Sequence, residues 1–105
     1  MTRAGLDIPR EALAPFCRRW HITELSVFGS ALRDDFGPES DVDVLVTFGP
    51  DARPTLFDMV EMREELQRLL GRPVDLVSRR GVEQSRNPLR REAILSSAET
   101  VYIEE

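Results

Sequence analysis

The chain has 105 residues, 41% of them apolar, and a net charge of −5 at neutral pH, enough for one compact core and too little for two domains, so a single domain over residues 1–105 is expected. All 14 basic residues are arginine, which removes Schiff-base catalysis and every phosphate-binding lysine. The acidic balance argues against a broad nucleic-acid surface, which needs clustered cations facing phosphates.

In chain order, Pro9 suits the first turn of a helix, and Leu13, Phe16, Cys17 and Trp20 at i, i+3, i+4, i+7 predict a buried stripe over about 9–20. Cys17 is the sole cysteine, which excludes an internal disulfide and, with a single histidine, a closed zinc site. Four residues before His21, it also suits a nucleophile–base pair, although its place on the stripe reads more simply as a small buried hydrophobe. Leu25 to Phe28 reads as a short strand ending at Gly29, and Ser30 as the N-cap of a short helix through about Asp34, stopped by Gly37 and Pro38.

Val42, Val44, Val46 and Phe48 alternate with Asp43, Leu45 and Thr47, predicting a strand with one buried and one mixed face. After the loop GPDARP, Leu56, Met59, Met62, Leu66 and Leu69 mark an amphipathic helix that stops at Gly71. PVDLVS is a further strand, Asn87 and Pro88 are the N-cap and first residue of a last helix carrying Leu89, Ala93 and Ile94, and TVYI is a terminal strand. The alternation predicts an α/β sandwich with a small sheet. No apolar run approaches the ~18 residues of a membrane span, and MTRAGLDIPREAL lacks the apolar centre of a signal peptide, so a cytoplasmic location is expected.

The chemistry concentrates in acids that interrupt apolar runs. Asp41 and Asp43, two apart at a strand start, share a face, and Asp75 in PVDLV sits oddly unless an adjacent strand brings it to the same place. At ~5 Å and an effective dielectric of about 20, each such pair repels by roughly 3 kcal/mol. Oxygen ligands of this kind suit Mg²⁺ or Mn²⁺, and two ions drive in-line phosphoryl displacement. Gly29 lets a phosphate approach the backbone, Ser30 offers a hydroxyl and a helix start, and Arg33 reaches phosphate or braces the acids. Each piece has a plainer reading: an ordinary strand-to-helix turn, a solvated strand edge, or Asp75 paired with Arg72 or Arg79. A calcium loop of the EF-hand type is excluded by Leu45 and Val46, where that loop needs an oxygen ligand and glycine. The apolar run following rather than preceding the DxD disfavours an aspartyl-nucleophile phosphatase. Arg79, Arg80, Arg86, Arg90 and Arg91 form a cluster that reads as a solvated face or as a patch for an acidic partner.

At GSALRDDFGPESDVDVLV the sequence resembles the DNA polymerase β-like nucleotidyltransferase superfamily, and its length and later segments resemble the minimal nucleotidyltransferases, antitoxins paired with HEPN-domain ribonucleases. The resemblance implies a polymerase β-like fold, a small mixed β-sheet packed against helices. It also implies Gly29 and Ser30 on nucleotide phosphate, Asp41 and Asp43 on Mg²⁺, and Asp75 as third metal ligand and activator of the acceptor hydroxyl. The implied activity is transfer of AMP from ATP to a tyrosine of a partner HEPN toxin, in a hetero-oligomer of a type VII-like toxin–antitoxin pair. The alternatives are a binding-only antitoxin and a nucleotide-sensing or RNA-associated regulator. Asp34 stands where the family often has glycine.

Overall fold

The computed structural model describes residues 10–29 and 41–104. Helix α1 (Arg10–Arg19) leads into β1 (Ile22–Phe28); β2 (Val42–Phe48), α2 (Leu56–Leu70), β3 (Val74–Ser78), α3 (Arg79–Glu83), α4 (Pro88–Ser97) and β4 (Glu99–Ile103) follow. The sheet order is β3-β2-β1-β4. β1 runs antiparallel to both β2 and β4, whereas β3 lies parallel to β2, as a strand–helix–strand connection through α2 requires. The sheet is therefore mixed and small, as expected.

One sheet face carries Leu25, Val27, Val42, Val44, Val46 and Val74, all buried, and packs against Leu13, Phe16 and Cys17 of α1 and Met62 and Leu66 of α2. On the other face, among the described residues, Phe28 and Leu45 meet Val82 of α3 and Ile94 of α4. The period-2 pattern of β2 is thus read correctly, and its mixed face contributes Leu45 to this second cluster.

The helix ends follow their side chains. Thr55 and Asp58 form a reciprocal capping box at the start of α2, and Gly71 closes it in the left-handed region at φ 69°. Asn87 Oδ1 accepts from the N–H groups of Leu89 and Arg90, both at 3.1 Å, with Pro88 in the first turn of α4. Helix α1 continues through Pro15, whose missing N–H removes one bond of the ladder; burial of Phe16 and Cys17 offsets it. Pro9 lies outside the described residues, as does the whole expected helix from Ser30 to Asp34.

The structure departs from expectation at three points. Residues 79–83, to which the sequence pattern assigns no element, form a short helix, with Ser78 Oγ accepting from Gly81 N at 3.0 Å; only Val82 is buried in it, so no apolar period announces it. Leu56 and Leu89 belong to no buried stripe: they are 80% and 82% exposed at the outer starts of α2 and α4. Trp20 lies just past α1, half-buried, its Nε1 donating to Glu65 at 3.2 Å.

Candidate active site

Because β1 is antiparallel to β2 and β3 is parallel to it, the end of β1 and the starts of β2 and β3 meet at one end of the sheet. Asp43 is the direct partner of Phe28 on one side and of Asp75 on the other. Partners across a ladder point to the same face, so the two carboxylates leave the sheet side by side, on strands about 4.8 Å apart. Val42 N–H donates to Pro73 O at 2.9 Å and locks this register at the end where the acids sit. Asp41 immediately precedes β2 and is exposed; Asp43 is half-buried and Asp75 exposed.

Gly29 ends β1 at φ 63°, a conformation that disfavours every side chain. A Cβ on it would fall 2.4 Å from Asp43 Oδ2 and 3.3 Å from its Cγ. The space that glycine leaves is therefore filled by the Asp43 carboxylate. Sequence reasoning gave Gly29 to phosphate approach and missed this contact, because only the β1–β2 register reveals it.

The expected Ser30 and Arg33 lie outside the described residues. Arg79 pairs with Glu83 at 3.3 Å, at the other end of β3 from Asp75. Among the described residues, no group of three or more His, Cys, Asp or Glu side chains is gathered so as to hold a metal ion. The described donors at this end are nevertheless all hard carboxylate oxygens, two of them on directly paired strand positions, which is the donor chemistry that suits Mg²⁺ or Mn²⁺.

Cys17 takes no part. It is fully buried in the α1 face of the core, and burial, followed by the charge of Glu104, pushes its thiol up to about 12. His21, exposed and at φ 59° beyond α1, faces no reactive thiolate. A cleft of about 720 Å³ also exists, but its lining of Phe48, Arg53, Met59, Arg79 and Arg80 puts it at the opposite end of β2 and β3 from the aspartates. Among the described residues, no helix is long and apolar enough to cross a membrane.

The sequence model of the nucleotidyltransferase domain matches residues 10–101. Protein adenylyltransferase MntA of Thermococcus cleftensis is 44% identical over 59 residues, 56% of this chain and 58% of its own. MJ0435 of Methanocaldococcus jannaschii, provisionally named a protein adenylyltransferase, is 30% identical over 85% of this chain and 89% of its own. A solved structure provisionally described as a minimal nucleotidyltransferase is 38% identical, covers 86% of each chain and superposes with a TM-score of 0.64. A toxin–antitoxin structure with AMP-PNP shares the fold at 17% identity and a TM-score of 0.69, covering 93% of this chain and 76% of that one. A MntA–HepT toxin–antitoxin structure does so at 16% and 0.60, over 90% and 70%.

Proposed function

Because the chain belongs to the nucleotidyltransferase domain family, we propose that it is a metal-dependent protein adenylyltransferase that moves AMP from ATP to a tyrosine of a partner HEPN-type toxin and so acts as a cytoplasmic antitoxin. The observation that carries this reading is the pairing of Asp43 with Asp75 across β2 and β3, with Gly29 opened against Asp43. The relatives named as protein adenylyltransferases, and the toxin–antitoxin structures that share the fold, support the acceptor class and the partner.

In this reading Asp41 and Asp43 hold the metal-bound triphosphate, and Gly29, Ser30 and Arg33 meet its phosphates. Bound Mg²⁺ would neutralise the acids and polarise the α-phosphate. Asp75 lies one strand further out, is exposed, and takes the proton of the incoming hydroxyl. The hydroxyl oxygen bonds to the α-phosphorus, the bond from that phosphorus to the bridging oxygen breaks, and pyrophosphate leaves.

Mass spectrometry of the cognate toxin after incubation with the chain, ATP and Mg²⁺ tests it. A gain of one or more AMP units with the wild type, absent with Asp75→Asn, is expected. Relief of toxicity by wild type and Asp75→Asn alike, with no mass gain in either, would replace this reading with neutralisation by binding.

A further inference from the structure

The pole of the sheet remote from the aspartates has a different chemistry. Its cleft lies between the start of α2 and α3, across the end of β2. Phe48, Met59, Pro50 and Pro54 give it an apolar lining, and Arg53, Arg79 and Arg80 stand along it. Arg53 donates to the carbonyls of Pro50 and Ala52, both at 3.1 Å, and Arg79 is tied to Glu83, so two of these cations are held in place while Arg80 is exposed. Among the described residues, Glu83 is the only carboxylate of the lining, against three arginines, on a chain of net charge −5.

Next to Arg53 and Pro54, the first turn of α2 holds two large apolar side chains in solvent. Leu56 is 80% and Phe57 82% exposed, and Val60, one turn on, is 41% exposed. Asp58 between them is committed to the capping box. Exposed aromatic and aliphatic side chains beside arginines match the composition of the centre of a protein interface rather than of a solvated helix start.

We propose that this pole docks the partner protein, and that it takes an apolar segment flanked by acidic side chains: the apolar residues cover Leu56 and Phe57 and enter the cleft over Phe48 and Met59, and the carboxylates meet Arg53 and Arg80. The acidic segment is attracted to the arginines at this end of the molecule, so charge favours this orientation. Docking and transfer then use opposite ends of the sheet. The inference rests on reading the chain as one half of a toxin–antitoxin pair.

Calorimetry of the full chain with its cognate toxin tests it. Phe57→Asp and Arg80→Glu should each weaken association at least tenfold with unchanged melting curves, since both side chains are exposed, while Arg68→Glu in the last turn of α2, the same charge change as Arg80→Glu, should not. Wild-type binding matched by Phe57→Asp and Arg80→Glu would overturn the docking face and leave the partner reading intact. Absence of any complex with the wild type would remove that reading, and this inference with it.

Discussion

A single missing methyl group sets the geometry at Gly29. Gly29→Ala forces a side chain into the left-handed region, at about 1–2 kcal/mol, and its Cβ would lie 2.4 Å from Asp43 Oδ2. The obstructing atom is the tip of a side chain, so the fold gives way at the carboxylate rather than at the backbone. The expected result is a folded protein whose melting curve moves by a few degrees and whose Mn²⁺ binding, followed by electron paramagnetic resonance, is weakened together with AMP transfer. Cys17 supplies a second residue-scale expectation. Its thiol titrates near 12 in the fold against 9.0 ordinarily, so above pH 9 the unfolded chain loses a proton that the folded chain keeps. Stability contributed by the neutral thiol is full below pH 9 and falls as pH rises toward 12. Thermal melts across that window should fall less steeply for Cys17→Ala, and a thiol reagent should label the wild type only after denaturation.

The parallel ladder between β2 and β3 places two like charges at partnered positions, an arrangement that is destabilising on a sheet face. Asp75→Asn should therefore raise the melting temperature in chelator, while the further rise on adding Mg²⁺ shrinks. An unchanged melt in chelator would mean that the repulsion is already relieved elsewhere. At this scale much was legible from the letters: the acids at the starts of two apolar runs, the break at Gly71, and the Asn87–Pro88 start of α4. What was not legible depends on partners distant in sequence. The contact of Gly29 with Asp43 exists only in one register of β1 on β2, and α3 has too little periodicity to show itself. Leu56 and Leu89 satisfy a helical apolar spacing yet face solvent, because spacing says which residues share a face and not whether anything covers the end of it.

At the scale of the whole molecule, the described residues are shared unequally between the two sides of the sheet. Among them, thirteen buried residues join α1 and α2 to one face, against four beneath α3 and α4 on the other. Local opening should begin with α4, so its amides should exchange with deuterium well before those of β1 and β2, and Ile94→Ala should speed exchange in α4 while leaving the β1–β2 pair protected. Equal protection of α4 and the central strands would contradict this. The pairing that makes the site also has a history in time. The β1–β2 pairing closes over a short separation, but Asp75 reaches Asp43 only after the whole of α2 has folded back and β3 has aligned in parallel, a slower class of contact. A chain still emerging in synthesis thus holds Asp41 and Asp43 without Asp75, and under the proposed roles of these acids competence to transfer a nucleotide arrives late in folding, when β3 docks.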